Sequence, residues 1–191
     1  MLHVNTFHTK DHLHTILDSC VSLGIKYVLV ISGDGSERLP KLEPEDLGID
    51  GGVKSVTSVE LLKYISDNYP DKFVLGAAFN PYEPKDHEFA KLQRKLDAGA
   101  RFVATQPILE RNDVLDELIE KHPDLPVFVG GWMSKKVHLI SDAVGYEIPV
   151  DTEYDGIENL KLLHKNYPNC GAYLSLIGYK TQFPLLKDVW V

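Results

Sequence analysis

The stretch from residue 73 to residue 106 constrains the fold most, because a strand, a helix and a second strand can be recognised in it in succession. Residues 73–79 are continuously apolar, which is typical of a strand covered on both faces in a parallel sheet. From Asp86 onward apolar residues recur at helical spacing, and Gly99 is placed to end that helix. A second apolar segment, 102–105, follows. The stretch therefore predicts a β-α-β unit with a right-handed crossover.

Strand and helix patterns alternate in the same way along the rest of the chain. The predicted strands cover residues 2–7, 26–34, 73–79, 102–105, 127–132 and 171–176. Helices are predicted to begin near Thr9, Thr57, Asp86, Asn112 and Ser134, with another helix at 157–163 and a terminal turn or helix at 181–186. This alternation predicts the α/β class and a parallel (β/α) barrel of the TIM type. Because such a barrel has eight strands, we expect an incomplete barrel that lacks the first strand-helix units, built as a single domain of residues 1–191.

The composition argues against two classes of partner. The chain has 20 basic and 28 acidic side chains and a net charge of -8, which is unfavourable for a nucleic-acid surface. No stretch approaches the roughly 20 apolar residues that a membrane-spanning helix needs. Cys20 and Cys170 lie far apart without a CxxC pattern, so we expect reduced thiols and a cytoplasmic location.

Polar or small residues mark three of the predicted strands. Residues 32–34 and 105–106 place hydrogen-bonding groups at strand ends, the edge where α/β folds bind ligands. Residues 76–78 are small, which leaves room for a group that lies against the third strand. Taken alone, these features also fit structural roles, namely a tight helix-on-sheet contact, an Asx turn and a strand-end cap.

Three other features have structural interpretations. The histidines His8, His12 and His14 lack a carboxylate or cysteine that would complete a ligand set at helical spacing, so we expect a solvated helix start and no metal site. The loop at 35–57 is unusually long, and it is either a functional segment or solvated surface. We expect Trp132 to belong to the core.

A set of short motifs occurs in a defined order along the chain. It consists of His3, Gly33-Asp34, Ala77-Ala78-Phe79, the segment 95–100 and Thr105-Gln106. This ordered set, which extends from His3 to Gln106, resembles the methylenetetrahydrofolate reductase family. The resemblance implies a flavin-binding barrel that passes a hydride from NAD(P)H through FAD to the methylene group of a folate.

The same resemblance implies roles for individual residues. FAD-binding residues would be His3, Ser32, Gly33, Asp34, Ala78, Phe79, Glu88 and Lys95. Glu88 and Lys95, on an outward-facing helix, would reach the ribose and the phosphates. Asp34 and Gln106 would contact the folate substrate, and Asp34 would also be catalytic beside the flavin ring. Small residues suit a flat ring, and a cation suits a diphosphate.

Several residues differ from the family pattern. The family's general acid is a glutamate on the first barrel strand, and no residue of this chain occupies that position. Ser32 stands where an arginine is expected, and Phe79 stands where a tyrosine is expected. Two functions therefore stay open: an oxidoreductase resembling methylenetetrahydrofolate reductase, or a non-catalytic barrel remnant that binds folate, flavin or a partner subunit. An aldolase-like barrel is less favoured, because Lys95 is predicted on a helix and not at a strand end.

An incomplete barrel has consequences for association. Two missing strands leave two sheet edges open, and open edges pair readily with other chains. We therefore expect a homo-oligomer or a partner chain that covers these edges, or a gene start upstream of Met1.

Overall fold

A computed structural model describes residues 1–33, 35, 38–49 and 52–188. The strands are β1 Leu2–Val4, β2 Tyr27–Val30, β3 Val74–Phe79, β4 Ala100–Pro107, β5 Val127–Trp132 and β6 Gly171–Ser175. They form one sheet in chain order, and the described pairings of β1 with β2, β2 with β3, β4 with β5 and β5 with β6 are all parallel. Six parallel strands with intervening helices are the topology of an incomplete TIM-type barrel, so the predicted fold class is confirmed.

Helices connect the strands. They are α1 Lys10–Ser22, α2 Ser58–Asn68, α3 Lys85–Asp97, α4 Asp113–Lys121, α5 Ser141–Val144, α6 Gly156–Asn166 and α7 Tyr179–Gln182. Turns of 3-10 helix occur at Pro44–Leu47, Val137–Ile140 and Phe183–Asp188. The side chains of Thr9, Thr57 and Asn112 cap α1, α2 and α4, as the sequence predicted.

The chain divides into two compact units, residues 1–78 with 89–102 and residues 79–88 with 103–191. The first unit has a core in which apolar residues of α1 and α2 pack with alternate residues of the strands. This core includes Leu13, Leu17, Val28, Val30, Leu61, Leu62, Leu75 and Ala77. Ala77 is therefore small because it lies in a helix-on-sheet contact, which confirms the structural interpretation for this residue.

The second unit contains a separate apolar cluster beside the end of β5. Its buried members are Val137, Ile140, Val144 and Ile148, and Tyr82, Leu109, Trp132, Ala143 and Tyr154 pack against them. Trp132 thus belongs to the core, as expected. The Tyr154 hydroxyl donates to the Trp132 carbonyl oxygen at 2.7 Å and fixes the end of the strand.

Several element boundaries differ from the predictions. β1 ends at Val4, although the strand was predicted to continue to residue 7. β2 ends at Val30, before the predicted polar end, and Gly33, three residues later, has a positive φ of 82°. β4 continues to Pro107, which pairs with Gly130 after a register irregularity. The helix predicted from Ser134 is instead a 3-10 turn followed by the short α5. The Ser134 hydroxyl oxygen accepts from the Lys136 N–H at 3.1 Å and closes a local turn in place of a helix cap.

Thr57→Ala is expected to lower the free energy of unfolding by about 1 kcal/mol. The Thr57 hydroxyl oxygen accepts from the Val59 N–H at 3.2 Å, and the Glu60 carboxylate accepts from the Thr57 N–H at 2.8 Å. Both bonds satisfy amides at the start of α2 that lack partners within the helix. Urea unfolding measures the change, and Thr57→Ser, which keeps the hydroxyl, is the control. Equal midpoints for the alanine and serine variants would contradict the capping role.

Candidate functional site

Lys95 is unusual in the first unit because its charged side chain is buried. It is 2% exposed, and its Nζ donates to the carbonyl oxygen of Ala78 at 2.5 Å. The predicted outward orientation of Lys95 is wrong. Lys95 follows the buried Leu92 by three residues and so shares its inward face of α3. The result is an ammonium group near the carboxyl end of β3.

The segments that follow β1 and β2 are bonded to each other. The Thr6 hydroxyl donates to the Ser32 carbonyl oxygen at 2.9 Å. Asn5 lies against Gly33, since a Cβ placed on Gly33 would be 2.9 Å from the Asn5 Cβ. The Asn5 side-chain oxygen also accepts from the Phe7 N–H at 2.9 Å. Only glycine suits position 33, because its φ is positive and its space is filled by Asn5.

His3 and Asp34 are the other residues near these two segments that were predicted to bind FAD. His3 lies on β1 with its side chain exposed, next to the buried Val4. Burial of part of the ring lowers the pKa of His3, and the positive N-terminus lowers it further, so the imidazole is neutral at pH 7. Asp34 lies outside the described residues, and its catalytic and binding roles remain predictions.

A protein side chain occupies part of the space that the small residues of β3 leave. A Cβ placed on Gly76 would lie 2.1 Å from the Phe102 ring. Phe102 also contacts Tyr27, with ring centroids 6.4 Å apart in an edge arrangement. The expectation of a group lying against β3 is therefore met at Gly76 by Phe102. Ala78, two residues later and only half-buried, is the small residue left beside the strand end.

In the second unit, Gln106 lies near the end of β4, and hydrogen bonds hold its backbone in place. The Thr105 hydroxyl donates to the Gln106 carbonyl oxygen at 2.7 Å and accepts from the Gly130 N–H at 2.9 Å. Gly130 touches this backbone, since a Cβ there would lie 2.6 Å from the Gln106 carbonyl oxygen. The Gln106 side chain is half-buried, and within the described ranges no residue hydrogen-bonds its amide. The amide can thus serve as both donor and acceptor.

Glu88 and Phe79, also in the second unit, are buried. Glu88 is 1% exposed, so its predicted outward orientation is wrong as well. Its carboxylate accepts from the Asn80 N–H at 3.0 Å and holds the turn that follows β3. Phe79 is fully buried. Contact of either residue with FAD stays a prediction.

Asn5 and Tyr82 contribute to the strand ends but were not predicted from the sequence. Asn5 stands two residues after His3 at the end of β1, and this position was its only signal. Tyr82 follows the Asn80-Pro81 turn, and its hydroxyl donates to the Pro107 carbonyl oxygen at 2.9 Å. Burial raises the pKa of Tyr82, so the phenol stays a proton donor at neutral pH. A tyrosine placed soon after a strand-ending Asn-Pro was the available signal.

A family model matches the first part of the chain. The model of the methylenetetrahydrofolate reductase family matches residues 1–125, which is more than half of the chain. The chain belongs to the methylenetetrahydrofolate reductase family. It is thereby a member of a folate-related oxidoreductase family.

Solved structures support the fold of this family member and nothing finer. A 2,3-dimethylmalate lyase of the PEP mutase/isocitrate lyase superfamily is similar with a TM-score of 0.51 and 10% identity, over 97% of this chain and 55% of that chain. A 7,8-dihydropteroate synthase from Vibrio fischeri has a TM-score of 0.50 and 12% identity, over 97% of this chain and 64% of that chain. The methylenetetrahydrofolate reductase-family chain therefore spans less than two thirds of either solved protein.

The three histidines at the start of α1 have different environments in this methylenetetrahydrofolate reductase-family chain. His14 was expected to be solvated, and this expectation is wrong. Its two ring nitrogens lie 2.8 Å from the hydroxyls of Tyr69 and Tyr64.

The part of the chain that the structure covers holds no group of three or more His, Cys, Asp or Glu residues arranged around a metal position. Its helices also include none that is long and apolar enough to cross a membrane.

Proposed function

We propose that this protein reduces methylenetetrahydrofolate to methyltetrahydrofolate with NAD(P)H as electron donor and FAD as cofactor. The observation that carries the proposal is the buried Lys95 ammonium at the end of β3, in a chain whose residues 1–125 match the family. A cation held in a buried position attracts a diphosphate more strongly than an exposed cation does, because water screens it less.

The described residues of the first unit fit an FAD group. Lys95 offers the cation, Gly33 offers backbone without a side chain, and His3 offers a neutral, exposed imidazole. Ser32 is exposed beside Gly33. Since Phe102 fills the space at Gly76, Ala78 is the position on β3 where the family's flat ring would lie. When bound, FAD supplies the two-electron carrier between the nicotinamide and the folate.

Residues of the second unit would bind the substrate and shape its surroundings. The Gln106 amide would donate to and accept from the pterin ring, and the Thr105 hydroxyl holds the Gln106 backbone for this role. Glu88 would support the site by fixing the turn after β3. Asp34 would lie beside the flavin ring and the pterin, as the family resemblance implies.

Binding without turnover is the alternative proposal. Its supporting features are in the sequence, since Ser32 stands where the family pattern has an arginine and Phe79 stands where it has a tyrosine. A barrel that binds folate, flavin or a partner subunit needs neither side chain for catalysis. The two proposals predict the same ligand binding and differ only in turnover.

The test is a titration of the purified protein with FAD, followed by flavin fluorescence, and then an assay of methylenetetrahydrofolate reduction with an artificial electron donor. We expect saturable binding of one FAD per chain, together with turnover. Saturable binding without turnover would support the alternative. A protein that does not change the fluorescence of added FAD would refute the flavin-dependent function.

We further propose that residues 1–191 act as one domain in the cytoplasm and that a homo-oligomer or a partner chain covers the sheet edges. β1 and β6 are the two ends of the strand order, and the first residues of β6 are exposed. Cys20 and Cys170 are free thiols, which is typical of a reducing compartment. Sedimentation velocity of the purified chain tests the association, and a monomer at all concentrations would contradict a homo-oligomer.

A further inference from the structure

His8 and His12 bring two imidazole nitrogens together at the start of α1. Their Nδ1 atoms lie 3.4 Å apart, and the rings meet edge to face with centroids 5.0 Å apart and planes at 86°. His8 is half-buried and His12 is exposed, so the pair is reached from solvent. The segment between them is fixed, because the Thr9 hydroxyl oxygen accepts from the His12 N–H at 3.3 Å.

A hydrogen bond between the two rings does not account well for the short distance between the Nδ1 atoms of His8 and His12. The separation of 3.4 Å is longer than the roughly 2.7–3.2 Å that N–H donors usually adopt. His14, one turn further along α1, shows the contrast, since both of its nitrogens have tyrosine hydroxyls at 2.8 Å. Within the described ranges, the ring nitrogens of His8 and His12 have no hydrogen-bond contact besides each other.

The distance does suit two ligands of one metal ion. Zinc binds imidazole nitrogen at about 2.0–2.1 Å, and two such ligands in a tetrahedral site are separated by about 3.3–3.4 Å. We infer that His8 and His12 chelate a divalent transition-metal ion of the Zn²⁺, Ni²⁺ or Cu²⁺ type through their Nδ1 atoms. Water completes the coordination, since the described residues supply no set of three ligands.

The Thr9 cap preorganises the pair. It fixes the backbone of His12 and so reduces the entropy lost when the two rings are held together on one ion.

The test is a titration of the full chain with Zn²⁺ and with Cu²⁺, by calorimetry and by electron paramagnetic resonance respectively. We expect one site per chain, two coordinating nitrogens in the Cu²⁺ spectrum, and a loss of affinity of about tenfold or more for each of His8→Ala and His12→Ala. His164→Ala is the control, because His164 is an exposed histidine of α6 and its loss should leave the affinity unchanged.

Two results would overturn the inference. One is wild-type affinity in His8→Ala or in His12→Ala. The other is a Cu²⁺ spectrum with a single coordinating nitrogen in the unmodified chain. Thermal melting of each variant checks that it folds, and the Thr9 cap stays intact because it uses the backbone of His12. His12→Gln keeps a polar side chain of similar length and replaces His12→Ala if the alanine variant unfolds.

Discussion

Lys95→Met should weaken FAD binding roughly 10- to 150-fold, which corresponds to the loss of about 1.5–3 kcal/mol for a hydrogen bond to a charged group. The Lys95 side chain is 2% exposed, and its Nζ lies 2.5 Å from the Ala78 carbonyl oxygen. Methionine keeps most of the apolar stem and the volume while removing the charge, so the packing of α3 on β3 is largely retained. Fluorescence titration with FAD measures the change.

The matched control for this prediction is Arg94→Met. Arg94 precedes Lys95 on α3, but its side chain is exposed, so its removal takes away the same formal charge without disturbing a buried group. We expect near wild-type FAD affinity for Arg94→Met. Equal effects of the two variants would show that only the net charge matters. A Lys95→Met variant that melts normally and binds FAD with wild-type affinity would remove Lys95 from the site.

The order of strands and helices was predictable because it depends on local patterns. Continuous apolar segments at 73–79 and 127–132 identify buried parallel strands without knowledge of their neighbours. Helix starts were equally accessible, since Thr57 and Asn112 cap their own helices through contacts two or three residues away. The conformation of Gly33 was not predictable in this way, because its positive φ accompanies the packing of Asn5, which is distant in the sequence, against it.

The orientation of Glu88 and Lys95 was predicted wrongly for a general reason. Periodicity analysis assigns charged residues to the solvent face of a helix, because burial of an unpaired charge is costly. Here each charged group has a hydrogen-bond partner on the backbone. The partner is the Asn80 N–H for Glu88 and the Ala78 carbonyl oxygen for Lys95. Such partners are set by tertiary packing, and the sequence of the helix does not show them.

The small residues of β3 also show which features the sequence predicts and which depend on tertiary packing. Ala77 and Gly76 are adjacent, yet Ala77 lies in the helix-packed core and Gly76 accommodates the Phe102 ring. The sequence indicates that both positions accommodate only small side chains. The identity of the neighbour depends on the register between distant parts of the chain, so the sequence does not show which small position is filled by a side chain of the protein itself.

Gly130→Ala is expected to destabilise the protein by about 3 kcal/mol, the upper part of the usual range for overpacking. The new Cβ would lie 2.6 Å from the Gln106 carbonyl oxygen and 2.8 Å from the Thr105 carbonyl oxygen. Both neighbours are backbone atoms of β4, so they cannot move aside by a rotamer change. The midpoint of thermal unfolding should fall by roughly 6–12 °C for a chain of this length. Displacement of this backbone should also weaken folate binding, if Gln106 holds the pterin.

Gly131→Ala separates this steric effect from the general effect of adding a methyl group to β5. A Cβ at Gly131 would lie 3.4 Å from the Leu174 Cδ2 and 3.8 Å from the Leu160 Cδ1, which are ordinary contacts with side chains. We expect its unfolding free energy to stay within about 1 kcal/mol of wild type, because the added apolar contact and the lower backbone entropy of alanine both favour the folded state. Similar unfolding midpoints for the two variants would mean that β4 can shift away from Gly130. In that case the backbone of Gln106 would not be fixed, and the prediction that it presents a preorganised amide to the pterin would fail.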